Sequence, residues 1–386
     1  MKIARLLGAR YLGMGLAVAA LGLAGCSEPQ STPTDTQPPT PDTTVLEVPE
    51  PQPVECSAQS LLVVDENLVP ECGVLFGTLD PPDAVVAATE TPIGLTHQRT
   101  VIQQSGPSSA GFEFGITRRY ERGPADADQE LRKLLRQASG ATGRRIYFSW
   151  KVDVGEGAWA AVAAGGYDGV LRSVAGVIDR SDQTVFLTIH HEPENDAEGT
   201  PEEYVAMWRH AHEVIEEELA NRPGGGAVAW VMNYKGHIDG GGLDEVDAYY
   251  PGNSYVDWIA FNPYNWKYCG GESWQSFAEV ARPMVEYLTT NGRYLTAGEA
   301  KPLMVGETGV HEGRTDAESK AQWFADMSAA LRSEEFAAVK AVVYFNQVEP
   351  TFCDWYWDSS PEAAAVFTAL VTDPFFHPAS VRVGSP

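Results

Sequence analysis

The sequence predicts an α/β protein whose single folded unit is a (β/α)8 barrel. Three observations carry this expectation. From about Cys72 onward, short apolar, β-forming runs alternate with longer amphipathic stretches, the pattern of a parallel sheet covered by helices on both faces. The runs number eight, which suits a closed barrel better than an open doubly wound sheet. One of them ends in a glutamate and another is followed by one two residues later, at the strand ends where such a barrel keeps its chemistry.

The N-terminus is read first. Lys2, Arg5 and Arg10 precede an apolar stretch from Tyr11 to Gly25, which is too short for a comfortable membrane span and reads as a leader. It ends in Leu23-Ala24-Gly25-Cys26, which looks like a bacterial lipobox. The expectation is a lipoprotein signal peptide over residues 1–25 and lipidation of Cys26; an ordinary signal peptide with an incidental cysteine is the alternative. Residues 26–55 are rich in Pro, Thr, Gln and acid and carry almost no large apolar side chains, so they bury too little surface to fold and read as a disordered tether. The barrel domain is assigned to residues 56–386. Together these features predict a lipid-anchored protein of the bacterial cell envelope, outside the cytoplasm. It is expected to be a monomer and to touch the membrane only through its anchor.

The candidate strands are Val74–Leu79, Phe112–Thr117, Arg145–Trp150, Val185–His190, Ala227–Asn233, Val256–Asn262, Leu303–Glu307 and Ala341–Asn346. Helical patterns cover Asp126–Gln137, Tyr167–Asp179, Pro201–Leu219, Trp274–Leu288, Thr315–Arg332 and Pro361–Val371. Thr200-Pro201-Glu202-Glu203 reads as a capping box with proline at the first helical position, and Thr315 opens a similar start. Gly224-Gly225-Gly226 and Gly240-Gly241-Gly242 lack the context of a phosphate cradle, and no cofactor is expected.

After Cys26, four cysteines remain: Cys56, Cys72, Cys269 and Cys353. In an exported protein an even count suggests disulfides, most simply Cys56–Cys72 and Cys269–Cys353. A zinc site is the alternative, although no CxxC pair exists. The formal charge is −26, and loss of Lys2, Arg5 and Arg10 with the leader makes it more negative. Such a chain repels nucleic acid and anionic polymers and suits a neutral substrate.

The chemistry is read from the strand ends. Val185-Phe186-Leu187-Thr188-Ile189 runs into His190-His191-Glu192-Pro193-Glu194, and Pro302-Leu303-Met304-Val305 runs into Gly306-Glu307-Thr308-Gly309. A carboxylate at the tip of a buried strand is costly unless chemistry needs it. Glu192 falls after strand four and Glu307 on strand seven, and two carboxylates facing one cleft are the equipment for glycosidic bond hydrolysis. Adjacent histidines on a strand point to opposite faces, so His190 and His191 do not chelate together and no metal site is expected. Aromatic faces stack on sugars, which makes Trp150, Trp266 and Phe345 candidates, with the loop Phe352-Cys353-Asp354-Trp355-Tyr356-Trp357 behind them. Asn233 and Asn346, each at a strand end, are placed to bond sugar hydroxyls or to cap the core.

Several segments resemble glycoside hydrolase family 26 of clan A: His191-Glu192, Tyr204-Val205-Ala206-Met207-Trp208-Arg209-His210, Val256-Asp257-Trp258-Ile259-Ala260-Phe261-Asn262-Pro263-Tyr264-Asn265 and Val305-Gly306-Glu307-Thr308-Gly309. The likeness runs from about residue 73 to 371. It implies a retaining mechanism with Glu192 as acid/base and Glu307 as nucleophile, His191 at the substrate, and Tyr264 bonding the nucleophile. Family mannanases carry an asparagine-glycine and a tryptophan cluster after the acid/base, where this chain has Pro193-Glu194-Asn195-Asp196, and an arginine where it has Thr188. The resemblance therefore implies a neutral β-linked polysaccharide, whether mannan, β-glucan or β-xylan. A glycan-binding lipoprotein on a degenerate barrel is the rival from another class, and a metal-dependent hydrolase around His190, His191 and Glu192 is a third.

Overall fold

A computed structural model of the chain describes residues 55–57, 60, 64–79, 116–139, 145–222, 224–236, 242–271, 273–347 and 353–376. Eight parallel strands close into a barrel in sequence order. They are β1 (Leu75–Leu79), β2 (Ile116–Arg122), β3 (Arg145–Lys151), β4 (Thr184–Ile189), β5 (Ala227–Tyr234), β6 (Trp258–Phe261), β7 (Leu303–Thr308) and β8 (Val339–Tyr344). The described helices are α1 (Ala127–Ser139), α2 (Ala158–Ala163), α3 (Asp168–Asp179), α4 (Pro201–Ala220), α5 (Phe277–Thr290), α6 (Lys320–Leu331) and α7 (Pro361–Thr372). None of these is long and apolar enough to cross a membrane. The expected leader, tether and lipidated Cys26 lie outside the described residues.

Period-2 alternation sorts each strand between two cores. Leu75, Ile116, Tyr147, Phe186, Val231, Trp258, Met304 and Val343 fill the barrel interior. The alternate residues, among them Phe148, Leu187, Met232, Val305 and Val342, pack outward against the helices. This two-faced burial is why most strands read as continuous apolar runs.

The N-terminal mouth is closed by the segment around residues 64–70. Leu68 packs into the interior core, and the Trp258 indole donates to the Asn67 carbonyl at 2.7 Å. The expected Cys56–Cys72 disulfide is formed and closes this segment on itself.

Thr200 caps α4 with the full reciprocal box to Glu203, and Pro201 holds the first position. Thr315 caps only a 3-10 turn at Asp316–Glu318, and Ser319 starts α6. Strand two departs from expectation at its end: it is described from Ile116 and runs to Arg122, past the expected end at Thr117, while residues 112–115 of the expected strand lie outside the described residues. Its polar residues Arg118, Arg119, Glu121 and Arg122 hid it from an apolar-run reading.

Candidate active site

The C-terminal ends of the strands assemble a cleft around two glutamates. Glu307 lies on β7 and is 8% exposed. Its Oε2 accepts from the Tyr264 hydroxyl at 2.9 Å, and its Oε1 pairs with Arg118 Nη2 at 3.1 Å. Arg118 comes from β2 and is fully buried. It donates to the Gly306 carbonyl at 2.5 Å and to Asn233 Oδ1 at 2.9 Å, and its guanidinium lies over the rings of Tyr120 and Tyr147. A buried guanidinium with this many partners is a fixed positive charge against the carboxylate.

Glu192 stands three residues beyond the end of β4 on a bent backbone. His190 and Glu192 both take left-handed φ, 59° and 54°, an uncommon conformation for non-glycine residues that marks functional sites. The Glu192 amide donates to the Asn233 carbonyl at 2.7 Å, tying the turn to β5. Its Oε1 accepts from Asn262 Nδ2 at 2.5 Å, and its Oε2 from Asn195 at 3.2 Å. Asn262 Oδ1 accepts from Asn233 Nδ2 at 3.0 Å. Hydrogen bonds from Glu192 to Asn262 to Asn233 to Arg118, closed by the Arg118–Glu307 ion pair, thus join the two glutamates. Gly306 has no side chain because none fits: a Cβ there would lie 2.9 Å from both Asn233 Oδ1 and Asn262 Oδ1.

The two carboxyls differ in environment. Burial, then the charge on Glu307, pushes Glu192 up to about 8, against the opposing pull of the Asn262 donor. Glu192 is therefore a protonated acid near neutral pH while Glu307 sits against Arg118. Glu194 is also raised, to about 7, by burial, although Oε1 accepts from the amides of Lys235 and Gly236 at 2.6 and 3.4 Å. It holds the turn after β4 against the end of β5.

Of the other expected site residues, His191 packs on Tyr120 with ring centroids 5.1 Å apart, and its Nδ1 lies 2.9 Å from Ser149 Oγ. Burial, with Arg118 and Lys151 nearby, holds its pKa well below the usual value, so it is neutral. Trp266 is partly exposed and packs with Tyr264, Phe345 and Trp355 in an aromatic wall along the cleft. Trp355 itself is fully buried behind that wall, and Trp357 stacks on Phe367 in the outer core.

Three expectations are corrected. Trp150 does not reach the cleft. It is fully buried in the outer core, with its indole bonded to the Gly123 carbonyl at 2.9 Å; on β3 the inward residues are Tyr147, Ser149 and Lys151. Asn233 is fully buried below the carboxylates, with Tyr147, Arg118 and Asn262 as partners, so it positions the network and does not meet sugar. The expected Cys269–Cys353 disulfide is not formed, although the two side chains are neighbours, with Cys353 Sγ 3.9 Å from the Cys269 carbonyl.

His190 has both ring nitrogens engaged: Nδ1 accepts from the Trp159 indole at 3.0 Å, and Nε2 lies 2.9 Å from the Asp196 carbonyl. Burial first, and then Lys151, lowers its pKa to about 4, and it acts as a strut between strand and loop. Among the described residues, no group of three or more His, Cys, Asp or Glu side chains is arranged to hold a metal ion.

The sequence reading missed Arg118, Tyr120, Ser149 and Lys151, which pairs with Asp196. The available signal was the spacing of two: Arg118 and Tyr120 on β2, Ser149 and Lys151 on β3, each pair sharing the inward face.

No known protein-family profile matches the chain. A segment of 174 residues is 31% identical to "Endoglucanase H" of Acetivibrio thermocellus, covering 45% of this chain; the match spans 17% of that relative's length. Among solved structures, a Cellulomonas fimi endo-beta-1,4-mannanase double mutant superposes with a TM-score of 0.53 at 16% identity, covering 78% of this chain and 71% of that one. An engineered protein superposes with a TM-score of 0.50 at 15% identity, covering 78% and 69%. These likenesses show a (β/α)8 barrel fold for the chain.

Proposed function

We propose that this protein is a retaining glycoside hydrolase that cuts within a neutral β-linked polysaccharide, β-mannan, β-glucan or β-xylan. The observation that carries the reading is the pairing of a protonated Glu192 with an Arg118-bound Glu307 across one network. Glu307 attacks the anomeric carbon as Glu192 passes its proton to the departing glycosidic oxygen, leaving a glycosyl ester on Glu307. Glu192, now ionised, takes a proton from water as the water oxygen displaces Glu307. Tyr264 and Arg118 hold the Glu307 oxygens throughout, so the attacking carboxylate needs no reorganisation. The aromatic wall of Trp266 and Phe345 supplies apolar faces for sugar rings. In this reading the enzyme works in the bacterial cell envelope, outside the cytoplasm, held there by a lipid on Cys26.

The test is hydrolysis of a panel of neutral polysaccharides by the parent and by Glu307→Gln. Release of new reducing ends by the parent alone supports the reading. Equal activity of both proteins removes Glu307 from the reaction. Binding of a glycan by both proteins without cleavage makes the barrel a glycan-binding protein.

A further inference from the structure

Each carboxyl oxygen of Glu192 accepts from an asparagine amide, and an amide has two faces. Half a turn about the last side-chain bond of asparagine exchanges its N–H donors for its carbonyl acceptor. Whatever selects the face therefore decides whether the amide favours the ionised or the protonated carboxyl. For Asn262 the selection comes from inside the barrel. Its Oδ1 accepts from Asn233 Nδ2, and Asn233 Oδ1 in turn accepts from Arg118, a group that only donates.

Asn195 stands on the other side of Glu192, in the turn after β4, with its Nδ2 3.2 Å from Glu192 Oε2. It is exposed, so water satisfies its amide in either orientation and burial does not choose between them. Lys235 does. This residue follows the end of β5, is half-buried, and donates from Nζ to Asn195 Oδ1 at 2.9 Å. An ammonium has three donors and no acceptor, so it binds the carbonyl side of Asn195 and leaves the N–H side for Glu192. The lysine backbone is tied to the same turn, its amide donating to Glu194 Oε1 at 2.6 Å.

Resting on the hydrolase reading, we propose that Lys235 is a positioning residue for the acid/base: its ammonium holds the Asn195 N–H toward Glu192 and so leaves the Glu192 proton free for the glycosidic oxygen. Without the ammonium, the Asn195 carbonyl can turn inward and accept that proton, which diverts the acid from the substrate and weakens it. With its N–H inward, Asn195 also stabilises the carboxylate that serves as base in the second step. The other charged groups facing Glu192 are Glu307 from β7, Arg118 from β2 and Glu194 on its own turn. Tyr147 from β3 and Tyr264 from the loop after β6 also face it, and burial keeps both phenols protonated.

The experiment uses the full chain and compares the parent with Lys235→Met, Asn195→Ala, the double variant and Glu307→Gln. Titration of Glu192 is followed by NMR of protein isotope-labelled at the glutamate carboxyl carbon, with Glu192→Gln for assignment. The pH profile of kcat/KM is measured on the glycan the parent cleaves. Lys235→Met is expected to raise the Glu192 titration, and with it the alkaline limb of kcat/KM, by about half a pH unit or more, threefold in proton affinity. Its plateau kcat/KM is expected to fall. In the Asn195→Ala background the same lysine change is expected to move neither, because its effect passes through Asn195. No shift in Lys235→Met overturns the proposal, and so does an equal shift in both backgrounds, which makes Lys235 a nearby charge and nothing more. Full activity in Glu307→Gln instead overturns the hydrolase reading, while the titration still decides what Lys235 does to Glu192.

Discussion

Replacing Glu192 by Gln removes a proton-binding group whose affinity differs sharply between the folded and unfolded chain. In the fold, Glu192 is raised from 4.5 to about 8. Folded wild-type protein therefore keeps a proton between these values that the unfolded chain has released, and its stability falls as pH rises through that window. Below about pH 4.5 both states are protonated and the term vanishes. Above about pH 8 it reaches its full size, of order 5 kcal/mol at most from about 1.4 kcal/mol per pH unit. Glu192→Gln has no such term. Glu194, raised to about 7, titrates in both proteins and largely cancels from the difference. Thermal unfolding of the two proteins at pH 4, 6, 8 and 9 is expected to give a gap in Tm that widens with pH in favour of Glu192→Gln. A gap constant across this range, or one that closes, refutes the argument that Glu192 is the protonated acid.

Gly306→Ala places a Cβ against Asn233, Asn262 and Arg118; it is expected to lower stability by about 1–3 kcal/mol through overpacking and to reduce kcat/KM, read by urea unfolding and steady-state kinetics. Arg118→Met strips the buried partner from Glu307 and the donor from the Gly306 carbonyl; it is expected to cost about 3–5 kcal/mol and to abolish turnover, and a folded variant with normal kcat would contradict its assigned place.

The parts legible in the sequence were those whose signal is local. Strands four and seven are apolar on both faces, so they read as strands without knowledge of their partners, and the glutamates at their tips stood out as charges in costly places. Thr200 and Glu203 announced the start of α4 because capping is decided within four residues. Strand two was ended too early for the converse reason: Arg118 belongs in a core only because Glu307, Gly306 and Asn233 meet it there, and those partners lie far away along the chain. Trp150 was misread by one position of strand parity, since Ser149 and Lys151 take the inward face. Asn233 was placed correctly at the end of its strand, yet its role depends on depth within the barrel, which strand position does not encode. The pairing of Cys56 with Cys72 followed from their closeness in sequence, whereas Cys269 and Cys353 come from separate loops whose geometry the sequence does not show.

The most direct test of the two-glutamate account is to trap the intermediate. The protein is incubated with a 2-deoxy-2-fluoro glycosyl fluoride of the sugar it hydrolyses, then digested and sequenced by mass spectrometry, while NMR follows the first-formed anomer of normal turnover. The account predicts a glycosyl ester on Glu307, none in Glu307→Gln, and a first product that retains the β configuration. A first product of α configuration, or a label on any other residue, would contradict it.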